Sequence, residues 1–205
     1  MRVRVKICGI TRMEDALASV DAGADALGFM FHEKSARFVT PSRARSIISM
    51  LPPFVTPVGV FVDTPPDVVR AVARETGIAV AQLHGDESAE AGDACGLPYV
   101  KAISVCGPVD AVKLERDFPR ASAVLLDHAR GGTGTTFDWR HWPSAKNVRL
   151  ILAGGLTVDN VAAAIAATRP FAVDVSTGVE AAPGIKDASK VRAFIAEVAR
   201  ASQGR

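Results

Sequence analysis

The feature that most constrains this chain is a repeat of strand-like and helix-like segments. Eight short apolar or β-branched runs occur in order: VRVKIC (3–8), ALGFMF (26–31), VGVFV (58–62), IAVAQLH (78–84), PYVKAI (98–103), SAVLLD (122–127), RLILAG (149–154) and FAVDVS (171–176). Most are followed by a segment with apolar residues at helical spacing, such as MEDALASVDAG, PSRARSIISML, PDVVRAVARETG, VDNVAAAIAATR and DASKVRAFIAEVARA. A strand followed by a helix re-enters its sheet in the same direction, so the pattern predicts parallel strands with crossover helices outside them. Eight units of roughly 25 residues make about 200, the lower size limit of a (β/α)8 barrel. The expected fold is α/β: a single-domain, parallel eight-stranded (β/α)8 TIM barrel over 1–205, with 202–205 as a frayed tail.

An open doubly wound sheet is the rival, and it would carry a GxGxxG turn after its first strand. Here that strand ends in Cys8-Gly9-Ile10-Thr11, and glycines gather late, at Gly131, Gly132, Gly134, Gly154, Gly155 and Gly178. In (β/α)8 barrels the loops after the seventh and eighth strands commonly hold phosphate, which fits that distribution.

With 48% hydrophobic residues in 205, the chain can bury one sizeable core. Its 24 Lys and Arg against 22 Asp and Glu are scattered, so neither a nucleic-acid nor a membrane-surface partner is expected and a small molecule is. Cys8, Cys95 and Cys106 form no CxxC or metal-spaced cluster, which suits free thiols in a reducing compartment, the cytoplasm. No stretch of about 18 apolar residues predicts a membrane span, and the start lacks a secretion pattern.

Strand parity assigns directions. In the first strand Val3, Val5 and Ile7 share the face that meets the helices, leaving Arg4, Lys6 and Cys8 inward; in the sixth, Ala123, Leu125 and Asp127 point inward. Cys8 and Asp127 therefore end their strands at the carboxyl mouth, where barrel active sites are built. Cys8 reads either as a small buried hydrophobe or as a thiol base, with Lys6 on the same face favouring its thiolate. Lys6 itself reads as half of an ion pair with Asp174 of the closing strand. Asp127 is either a loop-capping acceptor or an acid aimed into the mouth beneath a mobile glycine-rich cover, HARGGTGTTFDW. Gly154-Gly155, opening a helix near Thr157, and Ser176-Thr177-Gly178 offer backbone amides for a phosphate. Arg37 could grip a carboxylate by two parallel hydrogen bonds, or be an ordinary loop arginine. His84, His128 and Asp63 make only a loose metal set, short of three convergent ligands.

From end to end these motifs resemble the phosphoribosylanthranilate isomerase family of tryptophan biosynthesis: KICGIT (6–11), SARFV (35–39), QLHG (82–85), GGTGTTFDW (131–139), LAGGLTVDNV (152–161), DVSTGVE (174–180) and GIKD (184–187). The resemblance implies the barrel and an Amadori rearrangement of N-(5-phosphoribosyl)anthranilate to 1-(2-carboxyphenylamino)-1-deoxyribulose 5-phosphate, without cofactor or metal. It implies Asp127 as general acid opening the ribose ring, and Cys8 as general base at the sugar C2. It also implies Arg37 on the anthranilate carboxylate and Gly155, Thr177 and Gly178 on the phosphate, with His84 among the substrate contacts. Where the family usually reads Ser-Ser-Gly-Val-Glu, this chain has Thr177 second; a backbone contact survives that change, and a contact through the smaller serine side chain does not carry over by itself. The alternatives are a histidine-pathway or dual-substrate isomerase, which resembles two half-barrels and has aspartate where Cys8 stands, and a non-catalytic phosphosugar-binding barrel.

Overall fold

A computed structural model describes residues 2–128, 136–144 and 147–203. Eight parallel strands close into a barrel in chain order: β1 (Arg4–Cys8), β2 (Ala26–Met30), β3 (Thr56–Phe61), β4 (Val80–Leu83), β5 (Tyr99–Val105), β6 (Ala123–His128), β7 (Leu150–Leu152) and β8 (Ala172–Val175). β8 closes on β1 with Lys6 opposite Asp174. Each of the eight apolar runs became a strand.

The helices are α1 (Met13–Asp21), α2 (Pro41–Ile48), α3 (Pro66–Thr76), α4 (Ala89–Ala94), α5 (Ala111–Asp117), α6 (Val161–Thr168) and α7 (Ala188–Gln203). Their limits follow local chemistry. The Thr40 hydroxyl accepts from the Arg43 amide ahead of Pro41, and the Asp110 carboxylate accepts from Val112 and Lys113, so donors left open by the first turn are satisfied. Gly77 ends α3 at φ 80°, the left-handed geometry of a helix stop. Between β6 and β7 the described residues contain a 3-10 turn, Trp139–His141, and no α-helix. After β8, β9 (Glu180–Ala182) and β10 (Ile185–Lys186) form a short antiparallel hairpin outside the barrel.

Parity divides the core into two shells. Val100, Ala102, Ala123, Leu125, Ile151, Ala153 and Ala172 pack inside the barrel. Val5, Ile7, Leu27, Phe29, Val124, Leu126, Val173 and Val175 pack outward with Phe194 and Val191 of α7. Full burial of side chains such as Phe29 and Phe194 contributes about 1.5–3 kcal/mol each, which holds the strand ends at fixed spacing.

Two expectations change. The regular helix after Gly155 is α6 from Val161, preceded over 158–160 by a turn that closes from Thr157, whose carbonyl accepts from the Val161 amide at 3.1 Å. The Asn160 side chain takes the Thr157 amide at 2.8 Å and donates to the Gly155 carbonyl at 2.9 Å, satisfying groups the first turn leaves open. The tail expected to fray from 202 is helical through Gln203, with the Ser202 hydroxyl accepting from the Val3 amide at 3.1 Å. Residues 204–205 lie outside the described residues, as does most of the expected glycine-rich cover, 129–135 with Gly131, Gly132 and Gly134. Among the described residues no helix is long and apolar enough to cross a membrane.

Candidate active site

Cys8 ends β1 facing the barrel interior, 8% exposed. Beside it, Lys6 Nζ donates to Asp174 Oδ1 at 2.8 Å, both side chains buried, which is the ion pair read from strand register. Gly28 on β2 makes the room: a Cβ there would lie 2.8 Å from Cys8 Sγ and 3.0 Å from Lys6 Nζ. Burial pushes the Cys8 thiol above its ordinary pKa, and the Lys6 charge opposes this without overcoming it, since Asp174 adds a negative charge of its own. Burial alone would lower Lys6, yet Asp174 and Cys8 hold it above its usual value. Lys6 thus favours the thiolate, as its place on the same face predicts, but burial outweighs it and leaves the thiol above its ordinary pKa.

Asp127, 8% exposed, is the penultimate residue of β6. Its Oδ1 accepts from the His128 amide at 2.7 Å, and its Oδ2 lies 3.4 Å from His84 Nε2. His84 Nδ1 is 2.9 Å from Gln82 Nε2. An amide nitrogen only donates, so Nδ1 accepts and the proton of a neutral ring sits on Nε2, towards Asp127. Asp127 thus has both characters read from the sequence, a loop-capping acceptor and a carboxyl in the mouth. Asp63 Oδ1 instead accepts from the Asp86 amide, and among the described residues no three His, Cys, Asp or Glu side chains are grouped as a metal set.

A concavity of about 60 Å3 lies between Asp127, Gly154, Gly155 and Leu156 on one side and Asp174, Ser176, Thr177 and Gly178 on the other. Gly154 and Gly155 have φ of 83° and 61°, the left-handed region that favours glycine. This geometry folds the loop against β6, where a Cβ on Gly154 would come within 2.7 Å of Asp127 Oδ1. Gly178 lets the two loops touch, since a Cβ there would overlap the Leu156 carbonyl. Among the described residues none accepts from the Gly155, Thr177 or Gly178 amides, so this is a ring of donors able to receive an anion.

Arg37 reaches the same rim. Its Nε and Nη2 each donate to Glu180 at 2.8 Å, and Nη2 also donates to Thr177 Oγ1 at 3.1 Å. Lys186 Nζ donates to Glu180 Oε1 at 2.9 Å from the facing strand of the hairpin. Burial pushes the Glu180 carboxyl up, but the bonds from Arg37 and Lys186 outweigh it and hold it below its usual value. Cys8, Asp127, Arg37, His84, Gly155, Thr177 and Gly178 are thus all at the carboxyl mouth. Sequence reasoning missed Gln82, Gly28, Glu180 and Lys186. Gln82 and Gly28 were within reach, being two residues from His84 on the same face and on the inward register of β2; Glu180 and Lys186 stand in the quoted motifs but had no partner until the hairpin was seen. Cys95 is buried with its thiol on the Ala91 carbonyl at 3.2 Å, outside this cluster.

Residues 5–197 match the family model of N-(5'-phosphoribosyl)anthranilate isomerase. The chain belongs to the N-(5'-phosphoribosyl)anthranilate isomerase family. Among curated members, that of Thiobacillus denitrificans is 52% identical over 201 residues, 96% of this chain and 98% of its own length. That of Pseudomonas fluorescens is 52% identical over 197 residues, 94% and 97%. The solved phosphoribosylanthranilate isomerase of Thermus thermophilus superposes with TM-score 0.89 at 44% identity, covering 97% of this chain and 99% of that one. A further phosphoribosylanthranilate isomerase, solved with reduced 1-(o-carboxyphenylamino)-1-deoxyribulose 5-phosphate, gives TM-score 0.79 at 41% identity over 99% of this chain and all of that one. Membership sets aside both the histidine-pathway reading and the non-catalytic barrel.

Proposed function

We propose that Cys8 and Asp127 divide the proton transfers by which this tryptophan-pathway isomerase converts N-(5'-phosphoribosyl)anthranilate to 1-(2-carboxyphenylamino)-1-deoxyribulose 5-phosphate. The observation that carries the assignment is that a thiol and a carboxyl, both buried, sit inward at the carboxyl ends of β1 and β6, at the mouth where the Gly155, Thr177 and Gly178 amides have no acceptor among the described residues. The Asp127 carboxyl gives its proton to the ribose ring oxygen; the C1–O bond breaks and the anilino nitrogen supplies electrons, leaving an iminium ion. Cys8, its thiol proton passed to solvent, then removes the C2 proton as the thiolate, and the C–H electrons neutralise the iminium. The enolamine tautomerises to the ketone, and solvent returns a proton to Asp127 as Cys8 releases one. The cation beside C2 acidifies that proton, which lets a thiolate serve as the base. Oxidation state is conserved overall, and the steps call on no cofactor or metal.

The Gly155, Thr177 and Gly178 amides hold the phosphate, and Arg37 meets the anthranilate carboxylate. Anchored at both ends, the ribose lies between acid and base. His84 contacts the substrate beside Asp127. Thr177 in the usual serine position is compatible with this arrangement, because its amide faces the phosphate while its hydroxyl accepts from Arg37. Three free thiols suit a reducing compartment, the cytoplasm.

The test is loss of substrate fluorescence with wild type, Cys8→Ser and Asp127→Asn. Each substitution should lower kcat about 10²- to 10⁴-fold while leaving affinity for a product analogue nearly unchanged. Full turnover in either variant would refute its role.

A further inference from the structure

Arg37 meets the mouth already occupied. Glu180 takes its Nε and Nη2 in a two-pronged pair, leaving only Nη1 outside these bonds. A neutral Arg37–Glu180 pair would present a carboxylate beside the place where the substrate brings another. The cluster holds a second cation, however. Lys186 Nζ lies 2.9 Å from Glu180 Oε1, 3.3 Å from the Ser176 carbonyl and 3.4 Å from Ser176 Oγ. Three acceptors match the three protons of an ammonium. Lys186 and Glu180 side chains are 1% and 4% exposed, too buried for solvent to screen the charges.

The hairpin carrying both residues is pinned in place. The Lys186 amide donates to Asp15 Oδ2 at 3.0 Å, and Thr11 Oγ1 donates to the Gly184 carbonyl at 2.5 Å. Arg37 is pinned from the other side, where Gly9 lacks the Cβ that would lie 2.6 Å from Arg37 Cδ.

We infer that Glu180 and Lys186 are positioning residues for substrate recognition: Glu180 orients the Arg37 fork, and Lys186 cancels the Glu180 charge so that the cluster meets the substrate carboxylate with one net positive charge. This rests on the reading that Arg37 receives that carboxylate. Lys186 does not touch substrate; its charge acts through Glu180 and Arg37. Because it also holds Ser176, next to Thr177, one buried ammonium supports the grips on both ends of the substrate.

The test compares kcat and KM for N-(5'-phosphoribosyl)anthranilate in wild type, Arg37→Met, Lys186→Met and the double variant Glu180→Gln/Lys186→Met. Removing one charge a side chain or two from the carboxylate, at an effective dielectric near 20, should raise KM roughly tenfold in Lys186→Met, with a smaller change in kcat. The double variant restores one net positive charge and should recover most of that loss. A merely structural Lys186 would give a double variant no better than the single, and that result, or an unchanged KM in Lys186→Met, overturns the inference. If Lys186→Met does not fold, the double variant decides: KM within about fivefold of wild type supports the inference and a larger rise overturns it. Arg37→Met separates the two levels. If it leaves KM unchanged, the carboxylate reading itself fails; if it raises KM while Lys186→Met does not, only the role of Lys186 falls.

Discussion

At the N-terminal mouth of the barrel the inward side chains are mostly small and apolar, and they leave a cavity of about 490 Å3 lined by residues such as Val58, Val80, Val100, Ala123 and Ala172. Arg4 and Arg149 stack on the Phe171 ring at 4.4 and 5.5 Å, and the buried Lys6 and Gln82 also line the cavity. At the C-terminal mouth the cradle holds about 60 Å3, yet Cys8, Lys6, Asp127, Asp174, Arg37, Glu180 and Lys186 are gathered around it. Both ends hold room, since a further 540 Å3 or so opens at the C-terminal mouth beside His84, Gly85, Ile103 and Ser104; what differs is how densely buried charges are paired. A buried charge carries a desolvation cost of several kcal/mol and persists only where partners compensate it, so dense, paired ions mark the end where function has been built.

The contrast can be broken most severely through stability. Lys6→Met leaves Asp174 buried without its partner and should lower the unfolding free energy by about 3–5 kcal/mol. Arg2→Ala, at the opposite mouth, opens the Arg2–Asp25 pair, in which Arg2 is 62% exposed, and should lower it by under about 1 kcal/mol. Urea denaturation measures both, and equal losses would erase the distinction between the two mouths. Gly154→Ala comes next: it forces a Cβ into a backbone at φ 83° and against Asp127 Oδ1. A displaced acid of this kind should cost about 10²-fold in kcat, with KM as the control.

The pH profile sharpens the same contrast. A general base works deprotonated, and burial raises the Cys8 pKa, so kcat/KM should climb with pH to an inflection above the roughly 8.5 of an unperturbed thiol. An inflection at or below neutrality would mean that the charges of Lys6 and its neighbours outweigh burial. The smallest effect belongs to the N-terminal mouth. Arg4→Ala and Arg149→Ala should leave kcat and KM within about twofold of wild type, measured in the same fluorescence assay.

Legibility was uneven, for physical reasons. The ion pair of Lys6 with Asp174 was readable because two parity arguments met at the strand that closes the barrel. Cys8 and Asp127 were readable as strand-end groups for the same reason. The entry to α6 was readable only to within a turn: the Thr157 carbonyl already accepts from the Val161 amide, while regular helix starts at Val161. Glu180 and Lys186 were present in motifs but had no role, since their partnership depends on a hairpin register that apolar periodicity does not signal in strands of three and two residues.

The eightfold alternation and the face each strand residue occupies are set locally along the chain, because both follow from covalent geometry acting over a few residues. Together they bring Cys8 and Asp127 to one mouth. How those groups behave depends on the closed barrel. Whether Cys8 keeps its proton, and whether Arg37 meets the substrate as a free cation or as part of a compensated cluster, depends on desolvation and on contacts between residues more than a hundred positions apart, such as Lys6 with Asp174 and Arg37 with Glu180. Those distances exist only once the barrel has closed.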